Sequence, residues 1–149
     1  MKLISAIVRD RKTFVVRADQ TVRQAVEIMA AHNIGAVPVI DRERVAGIFT
    51  ERDLMTRVIA VGRDPATVPV AEVMSSDLIV AELSDSHEDC LRKMKQAGVR
   101  HLLVLDGGGL AGIVSLRDLL LVEVDEKDEA IKLLNAYIHY IPADFSPKT

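Results

Sequence analysis

Cysteine is nearly absent from this 149-residue chain, and Cys90, the only one, cannot form an internal disulfide. The four histidines show no metal-ligand spacing, so we expect no metal site. No apolar run approaches the roughly 18 residues that a membrane span needs. Residues 1–11 lack the apolar core and the small-residue cleavage site of a signal peptide. These absences together predict a cytoplasmic protein with no membrane segment.

An excess of basic charge is also missing. The formal net charge is -3 and the pI is near 5.8, which argues against a nucleic-acid partner. Apolar residues make up 49% of the chain and charged residues 28%, as in ordinary globular proteins. The length favours a single domain with a sizeable core.

What the sequence does contain is an internal repeat. Residues 13–54 align with residues 78–119 without a gap and share ten identities over 42 positions. Composition alone would give about two or three identities. The chain is therefore built from one unit used twice.

Each copy predicts the order strand, helix, strand, strand, helix, which is an α/β (α+β) architecture. The first helix of each copy begins at a capping box, formed by Thr21 with Gln24 and, more weakly, by Ser86 with Asp89. These helices should end at Asn33 and Gly98, which tolerate a left-handed backbone. The second helices are expected at residues 51–60 and 116–124.

Short apolar runs give the expected strands: residues 14–16, 36–40 and 45–50 in the first copy, and 78–80, 101–105 and 110–115 in the second. Gly107-Gly108-Gly109 falls between two strands, which favours a hairpin turn over a phosphate-binding loop. Cys90 aligns with Ala25 on a buried helix face and is expected to be an inert core residue.

Polar and proline-containing residues 62–69 join the copies as a linker. Residues 125–141 predict an additional C-terminal helix outside the repeat. Its apolar stripe, which includes Ile131, Leu134 and Ile138, should cover either the repeats or a second chain.

The most informative stretch is residues 47–54 (GIFTERDL), which returns as residues 112–119 (GIVSLRDL). A strand should deliver Thr50 or Ser115 to the start of a helix, with Asp53 or Asp118 in its first turn. A hydroxyl, a carboxylate and an arginine (Arg52 or Arg117) at a helix N-terminus suit a ribose phosphate. The aspartates could instead serve only as helix caps, and the arginines could be solvated surface residues.

This duplicated unit resembles the cystathionine-β-synthase (CBS) domain pair, or Bateman module, and looks most like small stand-alone bacterial CBS-pair proteins. The resemblance rests on residues 47–54 and their copy, on Glu72-Val-Met-Ser and on Arg100-His-Leu. It makes residues 1–149 a single module, with repeats at 8–62 and 63–124 packed with pseudo-twofold symmetry. The resemblance implies a regulatory module rather than an enzyme.

In such modules adenosine ligands bind in clefts between the repeats, where the aspartate accepts hydrogen bonds from the ribose hydroxyls. AMP, ADP or ATP is the expected ligand, and S-adenosylmethionine or NAD is the alternative. Carried over by position, the resemblance implies a first pocket and a second pocket. The first consists of Thr50, Arg52, Asp53, Ile79, Val99, Arg100 and His101. The second consists of Ser115, Arg117, Asp118, Phe14, Ile34, Gly35 and Ala36.

The first pocket is expected to hold phosphates better, because Gly35 and Ala36 bring no charge where Arg100 and His101 stand. Strand alternation should let only one of Arg100 and His101 face the cleft squarely. Arg117 could strengthen the second pocket or block it.

A homodimer formed through the helices and a separate regulated partner are also expected. The competing hypothesis is a protein-interaction module whose clefts are vestigial. A nucleotide hydrolase is a third possibility, but the sequence contains no Walker loop, no metal-ligand cluster and no pairing of a nucleophile with a base.

Overall fold

The computed structural model describes residues 1–139, and two three-stranded sheets organise it. In the first sheet, β1 (Val16–Arg17) lies parallel to β2 (Ala36–Asp41), which pairs antiparallel with β3 (Arg44–Thr50). In the second, β4 (Val80–Glu82), β5 (His101–Asp106) and β6 (Gly109–Ser115) repeat this arrangement. Even the register irregularity after Val39 returns after Val104. The expected fold of two equivalent units is confirmed.

The helices that follow the first strands are α2 (Val22–His32) and α4 (His87–Ala97). Both begin at complete capping boxes, in which the hydroxyls of Thr21 and Ser86 accept the backbone N–H groups of Gln24 and Asp89. Both end at left-handed residues, Asn33 and Gly98, as predicted. The sequence therefore determines both ends of these helices locally.

The first strand of each unit lies about two residues later than predicted. Residues 14–16 were expected, but pairing with β2 begins only at Val16; in the second unit it begins at Val80. β1 is one residue shorter than β4, and Pro38 explains the difference. In the repeat alignment Pro38 stands at the position of Leu103, which pairs with Val80 in the second unit. Proline has no N–H to donate to a ladder.

Two-residue turns connect the hairpin strands in both units. Arg42 and Glu43 have φ values of 49° and 65°, and Gly107 and Gly108 have 58° and 89°. Such left-handed pairs match the twist of the flanking strands. The hairpin prediction for the glycine run is confirmed.

The last helix of each unit differs from the prediction. In the first unit, α3 (Glu51–Asp53) continues as a π-helix over Leu54–Ile59, whereas an α-helix over residues 51–60 was expected. In the second unit, α5 (Leu116–His139) runs without a break through the expected boundary at residue 124. Residues 125–139 thus extend the repeat helix and do not form a separate one, because no glycine or proline interrupts them. The expected residues 140 and 141 lie outside the described part of the chain.

The two hydrophobic cores exchange segments. Helix α1 (Ile4–Val8) packs into the core of the second unit, where Ile4 is fully buried. Val68 of the linker, together with Val70 and Val73 in and after the 3₁₀ turn Val70–Glu72, packs into the core of the first unit. Backbone bridges Leu3–Ser86 and Thr21–Pro69 fix these crossings. The boundary predicted between repeats therefore does not divide the cores, and each unit is completed by residues that precede the other.

Cys90 lies fully buried in the second core, beside Met94 and Leu102. Burial raises the pKa of its thiol to about 11, and the neighbouring charge of Asp85 adds to this shift. The thiol is therefore protonated at neutral pH, in agreement with the expected inert role.

Replacing Ile4 tests the exchange of segments. Because Ile4 is fully buried in the second core, Ile4→Ala should lower the free energy of unfolding by about 2–5 kcal/mol. Leu3→Ala, at an exposed neighbour, should change it by less than about 1 kcal/mol. Urea denaturation of both variants measures the difference, and equal effects would show that α1 is not part of the core.

Candidate functional site

A cavity of about 820 Å³ opens between the two units, and residues of both units line it. We call it the first cleft. All seven residues predicted for the first pocket lie on its wall: Thr50, Arg52, Asp53, Ile79, Val99, Arg100 and His101. The volume is in the range of small-molecule sites, roughly 300–1,000 Å³.

Asp53 is held at the base of the first cleft by the start of α3. Its carboxylate accepts the backbone N–H of Thr50 at 3.0 Å, and the Thr50 hydroxyl accepts the N–H of Asp53 at 3.2 Å. The Ser75 hydroxyl donates to the same carboxylate at 3.1 Å, and the Arg57 Nε lies 3.7 Å away. Asp53 is only 5% exposed, yet it lines the cavity. It thus serves as a helix cap and also presents a carboxylate to the cleft.

Three arginines line the first cleft, but they are not equivalent. Arg57 donates to the backbone carbonyl of Met74 at 3.0 Å, so it is engaged within the fold. Arg52 and Arg100 are exposed, and their guanidinium groups form no hydrogen bond or ion pair with the described residues. These two guanidinium groups are therefore available to an anionic ligand.

Arg100 and His101 both line the first cleft. Arg100 precedes β5, so strand alternation does not constrain its side chain. Burial lowers the pKa of His101, and the nearby Glu51 and Asp118 only partly oppose this effect. His101 is therefore a neutral hydrogen-bonding group at neutral pH.

Carboxylates that the sequence prediction did not include also line the first cleft. Glu51 and Asp77 are both on its wall. Glu51 lies against Gly35, where a side chain would collide with the Glu51 carboxylate. Gly35 was assigned to the second pocket, but it lines the first cleft. The charges in the cleft are thus mixed rather than uniformly positive.

The residues predicted for the second pocket are largely engaged with one another or with the core. Asp118 caps α5 through reciprocal hydrogen bonds with Ser115, as Asp53 does with Thr50. However, both of its carboxylate oxygens also accept hydrogen bonds from Arg11, at 2.8 and 3.0 Å. Burial alone would raise the pKa of Asp118, but the hydrogen bonds from Arg11 and Ser115 outweigh it, and this pKa is lowered.

Most of the other members of this set have contacts elsewhere. Phe14 stacks on His32, with ring centroids 3.6 Å apart. Ile34 packs against the first core, Ala36 is buried, and Arg117 is exposed with no partner among the described residues. The second pocket therefore stays a prediction, and the residue that sequence reasoning missed there is Arg11, which lies 107 positions from Asp118 and carries no local signal.

Some residues of the first cleft could have been found from the sequence. Arg57 stands four positions after Asp53, a spacing that pairs charges on one helix face. Ser75 closes the Glu72-Val-Met-Ser motif, to which no role was assigned. No sequence motif marks Glu51 and Asp77, which are only close in sequence to residues of the first cleft.

His87, Glu88 and Glu126 bring three potential metal ligands within 4.8 Å of one another, a cluster that sequence spacing did not indicate. Both ring nitrogens of the buried His87 already have partners. The Lys2 N–H donates to Nδ1 at 3.1 Å, and Nε2 lies 2.7 Å from the Glu123 carboxylate. The N-terminal amine pairs with Glu126 at 2.8 Å. This cluster therefore anchors the start of the chain beside α5.

The described helices include none that is both long enough and apolar enough to cross a membrane.

Two β-α-β-β-α units that enclose a polar cleft define a paired-repeat module. The chain belongs to the CBS domain family, whose model matches residues 4–60 and again residues 70–125. The CBS domain-containing protein YhcV of Bacillus subtilis is 38% identical over 120 residues, which cover 80% of this chain and 85% of YhcV. Several other curated relatives are longer, and the chain spans 53–65% of their length.

Solved structures agree with this assignment. A putative signal-transduction protein with CBS domains from Burkholderia ambifaria superposes with a TM-score of 0.79 at 32% identity, covering 83% of this chain and 95% of that one. The CBS domain pair of protein MJ0100, in complex with 5'-methylthioadenosine and S-adenosyl-L-methionine, has a TM-score of 0.76 at 20% identity. That match covers 85% of this chain and 98% of the other, and at this identity it shows the fold alone.

Proposed function

We propose that this chain is a non-catalytic regulatory module of the cytoplasm that binds one adenine nucleotide, AMP, ADP or ATP, in the first cleft. The observation that supports this proposal most directly is the combination of Asp53 with two unpaired arginines on one cavity wall. A carboxylate accepts hydroxyl protons, and guanidinium groups bind phosphate. A ribose phosphate needs both kinds of contact at once.

The sugar would lie over Asp53 and Thr50. Two neighbouring ribose hydroxyls can donate to the Asp53 carboxylate, where they take over the hydrogen bonds that Ser75 makes at 3.1 and 3.4 Å. The Thr50 oxygen is used by the cap, but its proton is free to be donated. The helix start thus presents both an acceptor and a donor to the ligand.

The phosphates would lie towards Arg100 and Arg52, and the base would lie among apolar side chains. Ile79, Val99 and Leu78 supply that apolar wall from the second unit. A ligand held in this way would contact Asp53 of the first unit and Arg100 of the second. Binding would therefore favour the conformation in which the units are closed on each other.

S-adenosylmethionine is the second candidate ligand, and Glu51 and Asp77 favour it. These carboxylates in the first cleft suit a sulfonium and an amine better than a chain of phosphates. The MJ0100 domain pair is crystallised with this ligand, which supports testing it here. NAD, a larger adenosine ligand, belongs in the same comparison.

We also propose that the module acts as a homodimer on a separate partner protein. Met55 and Ile59 of the first unit are exposed, and so are Leu120 and Val124, which stand at the same positions in the second unit. The two pairs are offset by 65 residues, so the apolar surface has the pseudo-twofold symmetry of the fold. A self-complementary surface of this kind suits an isologous dimer. Ile131 and Leu134, which lie on the same face of α5, extend it.

The competing function is a pure interaction module whose first cleft binds no ligand. Ligand-dependent unfolding separates the two functions. A ligand present at 100 times its dissociation constant should add roughly 2.7 kcal/mol to the free energy of unfolding. Absence of a shift with AMP, ATP, NAD and S-adenosylmethionine would support the interaction module.

Asp53→Asn should weaken nucleotide binding by tenfold or more, because an amide offers one acceptor where the carboxylate offers two. The asparagine oxygen can still accept the Thr50 N–H, so the helix cap is retained. Asp118→Asn is the matched control and should change the affinity by less than about threefold. Calorimetric titration with AMP and ATP measures both. Equal losses in the two variants would contradict the assignment of the ligand to the first cleft.

Arg100→Ala should weaken AMP binding about tenfold, because a hydrogen bond to a charged group contributes roughly 1.5–3 kcal/mol. Adenosine, which has no phosphate, should bind the variant as it binds the wild type. Arg117→Ala removes an exposed arginine that does not line the first cleft and should change neither affinity. If AMP and adenosine lose affinity in parallel, Arg100 does not contact the phosphate.

Ile59→Lys and Leu120→Lys should each convert the dimer to a 16.4 kDa monomer, because each places a charge in the apolar surface. Val15→Lys introduces the same charge at an exposed apolar residue near β1 and should leave the dimer intact. Sedimentation velocity gives the mass of each variant. A monomeric wild-type chain, or variants that remain dimeric, would refute this interface.

A further inference from the structure

We propose that Arg11 occupies the half-site around Asp118 at the start of α5, which corresponds in the repeat to the half-site of Asp53 in the first cleft, and that it limits each chain to one nucleotide. This inference rests on the proposed function of the first cleft and concerns the asymmetry between the two halves. It makes Arg11 the residue that determines binding stoichiometry. Four observations support it.

The first observation is the geometry of the Arg11–Asp118 pair. Nη1 and Nη2 of Arg11 each donate to a different oxygen of the Asp118 carboxylate, at 2.8 and 3.0 Å. Two adjacent donors on two carboxylate oxygens are the same arrangement that a vicinal diol would adopt. The guanidinium therefore occupies the acceptors that a ribose would need, and a charged donor binds them more strongly than a neutral hydroxyl.

The second observation is that the aromatic residue of the same half-site is also engaged. Phe14 stacks nearly parallel to His32, at an interplanar angle of 15° and a centroid distance of 3.6 Å. The Lys12 ammonium lies 5.4 Å from the centroid of the same ring. A base would have to displace these contacts in order to stack on Phe14.

The third observation is the contrast with the first cleft. In the repeat alignment, which has an offset of 65 residues, Ser76 corresponds to Arg11 and Asp77 corresponds to Lys12. Serine is too short to reach across a cleft, and Asp53 is left with the hydroxyl of Ser75 as its side-chain donor from that segment. The capping hydrogen bonds of the two helix starts are alike, so the segment before the first strand decides whether a hydroxyl or a guanidinium from that segment donates to the carboxylate.

The fourth observation is the exposure of the pair. The Arg11 side chain is 45% exposed and that of Asp118 is 20% exposed. The pair therefore blocks the carboxylate without belonging to the core, and its removal need not unfold the protein. The aspartate cap on α5 remains when Arg11 is replaced, because Ser115 provides it.

The decisive variant is Arg11→Ser, which gives the second half-site the residue type of the first. Arg9→Ser is the matched control. Arg9 is exposed and lies in the same segment, and its replacement removes the same positive charge. Native mass spectrometry counts AMP molecules per chain, and calorimetry gives the affinity of each site. Thermal unfolding without ligand tests whether each variant is folded. Arg11→Gln, which keeps the aliphatic part of the side chain, is the second variant.

We expect one AMP per chain for the wild type and for Arg9→Ser, and two per chain for Arg11→Ser, with the second site at least tenfold tighter than in the wild type. Adding Asp118→Asn to Arg11→Ser should return the count to one. Two equivalent sites in the wild type, or a single site in Arg11→Ser and Arg11→Gln, would overturn this inference and leave the first cleft intact. Binding to none of the proteins would overturn the proposed function and this inference with it.

Discussion

The reciprocal hydrogen bonds between a strand-end hydroxyl residue and the aspartate three positions later determine where the aspartate carboxylate of each unit lies. In each unit the hydroxyl oxygen accepts the aspartate N–H, and the carboxylate accepts the N–H of the hydroxyl residue. These bonds satisfy orphan donors at the start of the helix. They also fix the carboxylate at the point where one unit faces the other. The carboxylate that caps α3 is therefore the same group that we propose for ligand recognition.

The exchange of segments explains why two small units behave as one module. Neither three-stranded sheet has a complete core without the residues that precede the other unit. The residues that follow each crossing segment reach the helix starts, where Ser75 contacts Asp53 and Arg11 contacts Asp118. The packing that joins the units therefore also decides which side chains reach the helix starts.

Local features were predictable from the sequence, and contacts between distant residues were not. The capping boxes at Thr21 and Ser86, the left-handed Asn33 and Gly98 and the glycine hairpin follow from neighbours within four positions. The residues of the first cleft were found because the repeat and the family resemblance together supplied long-range information. The Arg11–Asp118 pair was missed, since it depends on a contact over 107 positions that breaks the symmetry of the repeat. The one-residue difference between β1 and β4 follows from Pro38, but only when the partner strand is known.

The buried thiol of Cys90 has a practical consequence. With its pKa near 11 and no exposed surface, it does not compete for thiol-reactive reagents under native conditions. A cysteine introduced at the rim of the first cleft, for example at Thr56, would therefore be the single reactive position in an otherwise unmodified protein. The native chain is in this sense already prepared for site-specific attachment of a fluorophore that reports occupancy of the cleft.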